Sequence, residues 1–305
     1  MKDYEFILND RIAKIQAINE QYDLLNNSYI AFSGGKDSTI LHYLIDIALP
    51  GNKIPRVYAN TGLEYKYIRK FVEELQQHDD RIIIINQTQN IKQTLQKYGY
   101  PFKSKDHSQR VDEFNKGICP NTTYGYVNGG LTKNGRPKKT CPKKLLYQFE
   151  EHGKYNISQQ CCYKLKKNLM EQFSVSSGRN IIITGMRKGE GGSRLNINCI
   201  SMKNGKLHKF HPLLIVDKKF EDEFIKNTKI KLCELYYEPY NFDRTGCVGC
   251  PYNKDLKKDL ELLKKYLPNE YKKACLIWQP VYDEYKRINY RLKGGKNETD
   301  KQTLL

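Results

Sequence analysis

Residues 29–49, YIAFSGGKDSTILHYLIDIAL, pass from an apolar strand-like run to an apolar helix-like run through six residues, Ser33-Gly34-Gly35-Lys36-Asp37-Ser38. So sharp a change needs glycine where φ turns positive, and it leaves the first N–H groups of the helix facing the turn. The pattern then recurs. IPRVYAN (54–60) reads as a buried strand and TGLEY as its loop, and YKYIRKFVEELQQH places Ile68, Phe71, Val72 and Leu75 on one helical face. RIIIINQ (81–87) supplies a third strand, NIKQTLQKYG a third helix, and NIIITGMR (180–187) an apolar run that should rejoin the sheet. Strands alternating with helices of this length predict an α/β fold, a doubly wound and mostly parallel sheet.

The rest of the chain is organised around that unit. Apolar side chains at Ile7, Ile12, Ile15, Ile18 and Tyr22 predict a leading helix within 1–27. The nucleotide-binding α/β domain is expected over 28–217, with an insertion at about 100–160 that has few apolar runs and the look of a lid. A helical, cysteine-bearing region is expected over 218–292, and KGGKNETDKQTLL (293–305) reads as a disordered tail. Fifty-two Lys and Arg against 34 Asp and Glu leave a net charge of +18, which suits a polyanionic partner. Lys, Asn, Ile and Tyr are all abundant, however, so charge alone leaves nucleic-acid binding open. No apolar run is long enough to span a membrane, and MKDYEFILNDRIAKIQ lacks the core of a secretory signal, which predicts a cytoplasmic protein with no membrane partner. Nine cysteines, an odd number, then point to reduced thiols or metal ligation rather than disulfides.

Glycines that admit phosphate, inward N–H groups and a helix dipole make the turn at 33–38 an anion site, to which Ser33, Lys36 and Ser38 add donors. A plain polar turn is the alternative. The turn is not a Walker A loop, because Asp37 follows Gly35-Lys36 and the first glycine of that motif is missing, and it is not G-x-G-x-x-G. Phosphate repels Asp37 unless Mg²⁺ lies between them, which points to a metal–nucleotide pyrophosphate.

The stretch resembles the PP-loop, S-G-G-x-D-S, of the ATP pyrophosphatases in the adenine nucleotide alpha hydrolase superfamily. NTGLEY (60–65), YGYPFKSK (98–105), ISQQCCYKLKK (157–167), ITGMRKGEGGSR (183–194), HPLL (211–214) and DRTGCVGCPY (243–252) are similar, in order, to segments of its phosphoadenosine phosphosulfate reductase branch. The resemblance runs from about 28 to 290. It implies that Ser33, Gly34, Gly35, Lys36, Asp37 and Ser38 bind ATP with Mg²⁺, that Asn60, Thr61 and Gly62 border the adenosine, and that Arg187 meets the anionic end. Lys36, Asp37 and Arg187 are then the catalytic candidates; a surface salt bridge is the alternative for Arg187 or Arg194, and Arg244, beside the cysteine pair, is a lesser candidate to face the anion.

Cys247 and Cys250 have a spacing common among metal ligands, while Cys161 and Cys162 are adjacent. Adjacent thiolates suit the separate corners of an iron–sulfur cube better than one small zinc ion. Cys-Cys followed by a distant C-x-x-C resembles the [4Fe–4S] arrangement of assimilatory adenylylsulfate reductases and DNA phosphorothioation sulfurtransferases. Zinc and unmetallated thiols are the other readings. Cys119 and Cys141 read as loop residues, with a redox pair or sulfur carriers as alternatives, and Cys199, Cys233 and Cys275 as small buried hydrophobes.

Reductases of the branch use a cysteine on a mobile C-terminal tail, whereas residues 293–305 contain none and Cys275 lies in a helical pattern. The expectation is therefore an AMP-forming ATP pyrophosphatase that adenylylates an acceptor for sulfur transfer. A nucleic acid is an acceptor that the basic stretches KNGRPKK and KLKK suit, and a cysteine desulfurase is a candidate sulfur donor. The alternatives are a sulfonucleotide reductase using an external thiol and a non-catalytic nucleotide-binding partner subunit.

Overall fold

In the computed structural model the described residues are 2–118, 120–150, 155–190 and 192–292; Cys119 and the expected tail at 293–305 lie outside them. In chain order the elements begin with α1 (Lys2–Tyr22), the one-turn α2 (Leu24–Asn27), β1 (Ser28–Phe32), α3 (Lys36–Ala48), β2 (Arg56–Asn60), α4 (Lys66–His78) and β3 (Ile82–Asn86). Next come α5 (Ile91–Tyr98), α6 (Lys105–Asn115), α7 (Asn121–Asn128), a 3₁₀ segment Lys143–Phe149, α8 (Gln160–Cys162), a π-helical turn Tyr163–Lys167 and α9 (Asn168–Ser177). The remainder comprises β4 (Ile181–Ile183), β5 (Ile200–Lys203), β6 (Lys206–Phe210), α10 (Lys218–Thr228), α11 (Leu256–Tyr266) and α12 (Pro268–Arg287). No helix among the described residues is long and apolar enough to cross a membrane.

The chain packs as two units, Met1–Gln87 with Lys166–Gly246, and Thr88–Leu165 with Cys247–Leu305. In the first, the four expected apolar runs become the parallel strands β1 to β4 of a six-stranded sheet in the order β3-β2-β1-β4-β6-β5, in which β6 is also parallel and β5 lies antiparallel at one edge. The β5–β6 hairpin was not anticipated. Its signal is Asn204-Gly205, whose φ values of 51° and 74° give the twisted two-residue turn that pairs neighbouring antiparallel strands.

The division differs from the boundary expected at 217/218. Residues 218–246 belong with the sheet: Phe220 of α10 lies against Tyr4 of α1, ring centres 5.3 Å apart. The stretch at 100–160, expected as an insertion in the nucleotide domain, instead shares a unit with the chain from Cys247 onward. It has its own aromatic core, in which Phe102 packs on Tyr285 at 4.6 Å and Phe149 contacts His107, Phe114 and Tyr126. Scattered aromatic residues build that core without the aliphatic runs that mark strands and helices in the sequence.

Beneath the first unit's sheet lies a buried ionic cluster. Arg56, fully buried at the start of β2, donates to Asp46 Oδ1 at 2.6 Å, Asn52 Oδ1 at 2.8 Å and His42 Nδ1 at 3.1 Å. Arg81 grips Asp46 and Asp79 at 2.7–2.9 Å. Burial, and then the Arg56 charge, push His42 down to about 4, so its neutral ring accepts the Arg56 bond. Asp46 is the shared acceptor, and removing one partner of a buried pair costs far more than removing a surface pair. Asp46→Ala is therefore expected to destabilise the protein by about 3 kcal/mol. Glu73→Ala, which breaks an exposed pair with Arg69, should cost no more than about 0.5 kcal/mol. Urea unfolding of the two variants compares them, and equal losses would refute the ranking.

Candidate nucleotide and thiol sites

The strand order reverses at β1. The chain leaves β1 toward β2 and β3 on one side, and returns to β4 on the other. Loops that follow strands flanking such a switch point line the crevice of an open α/β sheet. Those loops here are residues 33–35 after β1 and residues 184–187 after β4.

Gly34 takes φ +69°, and a Cβ there would lie 2.7 Å from Val72 Cγ2, so the turn requires glycine. Ser33 and Ser38 close the turn across their hydroxyls at 3.0 Å, while Ser38 Oγ and Thr39 Oγ1 donate to the Gly35 carbonyl at 2.9 and 3.0 Å. Gly35 is the N-cap of α3 and offers no side-chain cap, which leaves the helix N-terminus open to an outside acceptor. Part of that role is already taken, because Lys36 N–H donates to the Tyr236 hydroxyl at 3.0 Å, itself 2.6 Å from Thr245 Oγ1. The second loop presses on the first. A Cβ on Gly185 would lie 2.8 Å from the Asp37 carbonyl oxygen, so only glycine permits this approach.

That approach brings Arg187 beside the loop. Its Nε lies 3.1 Å from Asp37 Oδ1 and 2.6 Å from Glu221 Oε1, while Lys36 Nζ lies 3.6 Å from Glu221 Oε2. The three catalytic candidates Lys36, Asp37 and Arg187 thus meet, joined by a carboxylate that the sequence did not single out. Glu221 follows its helix cap Asp217 in DKKFEDEF, a pattern that ordinarily marks an exposed first turn. Tyr236 and Thr245 were missed as well: Tyr236 sits in a short 3₁₀ turn with no motif of its own, and Thr245 stands within DRTGCVGCPY, where the cysteines drew the reading.

Asn60 ends β2, and Thr61 and Gly62 follow it, one strand from the switch point. Thr61 is buried and bound to Glu64 through both its N–H and its hydroxyl at 2.9 Å. Asn60 Nδ2 donates to Asn86 Oδ1 at 2.8 Å, while its Oδ1 accepts from Gly62 N–H at 3.3 Å. Nearby, His211 pairs with Thr184 Oγ1 at 2.7 Å and is pushed down to about 4 by burial, as suits a neutral structural ring.

The cysteine pairs both belong to the second unit. Cys161 and Cys162 lie on α8, their sulfurs 3.9 Å apart. Cys247 and Cys250 bracket a turn closed by Cys250 N–H on the Cys247 carbonyl at 3.1 Å, with Gly249 at φ +61°. The turn hangs from α12: Trp278 Nε1 donates to the Val248 carbonyl at 2.9 Å, Tyr282 to that of Gly249, and Tyr285 to that of Pro251 at 3.0 Å. Tyr252, just past the turn, donates to the Ser158 carbonyl at 3.3 Å, tying it to the segment before Cys161.

Cys161 is held well above the usual thiol range, first by its hydrogen bond with Cys162, then by burial and by the charges of Cys162, Cys250 and Cys247. Burial likewise pushes Cys250 up to about 12. Cys162, Cys247 and Cys250 thus lie within electrostatic reach of Cys161 and oppose its ionisation, a repulsion that a cationic centre would offset. Among the described residues no three His, Cys, Asp or Glu side chains are already arranged around a single metal position. No described cysteine forms a disulfide. Cys141 and Cys233 are buried, whereas Cys199 and Cys275 are only half-buried, short of the expected burial.

The chain is similar in part to several known proteins. A curated relative is an uncharacterised protein of Methanocaldococcus jannaschii, 39% identical over 72 residues, 24% of this chain and 15% of that protein. The chain thus spans about 15% of the length of the curated relative it matches. Among solved structures, phosphoadenylyl-sulfate reductase from Candida auris in a phosphate complex is 13% identical, with a TM-score of 0.38 over 68% of this chain and 76% of that one. FMN adenylyltransferase from Candida glabrata in complex with ATP is 14% identical, with a TM-score of 0.48 over 81% and 62%. The U34-tRNA thiolase NcsA from Methanococcus maripaludis, with its [4Fe–4S] cluster, is 13% identical, with a TM-score of 0.37 over 97% and 82%. The model of the phosphoadenosine phosphosulfate reductase domain matches residues 27–123 and 131–253, well over half of the sequence, so the chain belongs to that family.

Proposed function

We propose that the protein is an AMP-forming ATP pyrophosphatase that adenylylates an acceptor for sulfur transfer. The observation that carries the reading is the meeting of Lys36 and Arg187 beside the open N-terminus of α3. Two cations and a helix N-terminus suit the charge that builds up on departing pyrophosphate. A sulfonucleotide has no pyrophosphate to release, so the extra cation at Lys36 favours a triphosphate.

The residues take the following roles. Gly34, Gly35, Ser33 and Ser38 shape the turn against the phosphates, and Asn60, Thr61 and Gly62 border the adenosine. Asp37 holds Mg²⁺ after giving up Arg187, which moves to the phosphates with Lys36. An acceptor oxygen attacks the α-phosphorus and pyrophosphate leaves; a sulfur nucleophile then attacks the activated carbon and AMP leaves. Cys161, Cys162, Cys247 and Cys250 would hold a [4Fe–4S] cluster, with zinc the less favoured occupant. When bound, the cluster supplies a thiolate-held centre for handling reduced sulfur. The net charge of +18 supports a nucleic acid as acceptor, through backbone contacts that salt weakens.

With Asp37→Ala, AMP and pyrophosphate formation from ATP should fall by on the order of a hundredfold or more. Melting temperature and metal content should hold, and undiminished turnover would refute the assignment. The family model itself favours a second reading, a sulfonucleotide reductase using an external thiol. That enzyme would release sulfite from a sulfonucleotide without consuming ATP, so parallel assays with both nucleotides separate the two.

Anaerobic purification with iron, sulfide and zinc quantified tests the thiol site. Iron and sulfide near four per chain, lost in Cys161→Ser and Cys250→Ser, is the expected result. One zinc per chain would replace the cluster with a structural ion.

A further inference from the structure

Between Glu113 and Glu150 the chain carries seven Lys and Arg and no acid. On the helices, by contrast, surface cations have an acid one turn away, as in Arg69–Glu73, Lys70–Glu74 and Lys257–Glu261. Here partners are nearly absent. Lys139 has Asp106 at 4.0 Å, while Lys133, Arg136, Lys143 and Lys144 are exposed and join no ion pair among the described residues.

The backbone gives this basic stretch a definite shape. Leu131 and Pro137 pair as antiparallel neighbours, Thr132 N–H donates to the Arg136 carbonyl at 2.7 Å, and Lys138 N–H donates to that of Gly130 at 2.8 Å. Gly135, at φ +72°, closes the turn with its N–H on the Thr132 carbonyl at 2.9 Å. Residues 130–138 thus form a short two-stranded ribbon. Its base is anchored on α7, where Cys141 N–H donates to the Tyr126 carbonyl at 2.7 Å and a Cβ on Gly125 would lie 2.8 Å from Lys138 Nζ. Its end is bare: Lys133 and Arg136 flank the turn, and Leu131 behind them is 63% exposed.

We propose that the ribbon 130–138 is a DNA-binding arm that enters the major groove of a B-form duplex, with Lys133 and Arg136 at its tip and Lys143 and Lys144 on the flanking phosphates. The proposal rests on the reading of the acceptor as a nucleic acid and names the class.

Shape selects this partner. The major groove of B-form DNA, about 12 Å wide and 8.5 Å deep, admits a two-stranded ribbon, and three residues per strand reach roughly 10 Å. In A-form RNA the same groove is too narrow and deep for side chains to read. Leu131 offers apolar contact to the thymine methyl, which lies in the DNA major groove. An anionic membrane would match the charge, but a membrane-seated element needs a broad apolar face. From 130 to 138 the apolar side chains are Leu131 and Pro137 alone.

Fluorescence anisotropy of the full chain with a short labelled DNA duplex, and with the RNA duplex of the same sequence, tests the arm between about 50 and 200 mM salt. The wild type should favour the DNA duplex by about tenfold, and Lys133→Gln with Arg136→Gln should abolish that preference. Lys143→Gln with Lys144→Gln should lower the slope of log affinity against log salt by about 0.9 for each charge removed. All four side chains are exposed, so melting temperature should hold in both variants. Equal or tighter binding of the RNA duplex by the wild type overturns the proposal, as does wild-type preference and slope in the two variants. Phosphatidylserine vesicles that displace the DNA from the wild type, but bind neither variant, would assign the arm to a membrane and overturn it too. Binding of DNA that survives both variants keeps a nucleic-acid acceptor and refutes the arm alone; no binding of either duplex refutes the nucleic-acid acceptor with it.

Discussion

The close approach of Gly185 to the Asp37 carbonyl is the contact on which the first unit's site depends. A Cβ at that point would lie 2.8 Å from a backbone oxygen at the start of α3, which cannot move without unwinding the helix. With hydrogen in its place, the loop after β4 seats itself on the loop after β1, and Arg187, two residues on, reaches Asp37 and Glu221. The strand order makes this meeting possible, because only at the reversal between β1 and β4 do the carboxyl ends of neighbouring strands diverge into separate loops. The glycine of TGMR is thus a packing requirement that sets where a charge goes.

The second unit solves a different problem. A C-x-x-C turn has several backbone carbonyls to satisfy, and here three successive aromatic side chains of α12 do so. Trp278, Tyr282 and Tyr285 recur at spacings of four and three, which puts them on one helical face, each with an N–H or O–H at its far end. These bonds tie the turn to α12. A thiol pair held in this way presents its sulfurs without first having to order the chain that carries them.

The legibility of these features in the sequence followed the kind of signal each one had. Alternation of aliphatic runs is strong and local, and it located β1, β2, β3 and β4 together with the turn at 33–38. The β5–β6 hairpin was legible too, in its Asn-Gly pair between ISMK and KLHKF, but it was overlooked because the flanking strands are short and rich in lysine. The core of the second unit left little trace. Phe102, His107, Tyr126 and Phe149 come together from separate segments by long-range packing, and no periodicity connects them. Glu221 was the least legible residue of all, since a first-turn glutamate is among the commonest surface patterns. Its burial follows from α10 packing on α1 and α3, which is a tertiary event.

The same burial bears on which anions the site can hold. Lys36 and Arg187 at an open helix N-terminus would, without acids nearby, bind almost any small anion. Asp37 and Glu221 already engage those cations, so an incoming anion must displace carboxylates rather than water. A singly charged ion gains one set of contacts and leaves the buried Glu221 and the half-buried Asp37 side by side. A polyphosphate engages both cations at once and, with a divalent metal at Asp37, turns that acid from a competitor into a ligand. On the proposed nucleotide reading, the acids under the loop thus favour multivalent, metal-bound anions over singly charged ones.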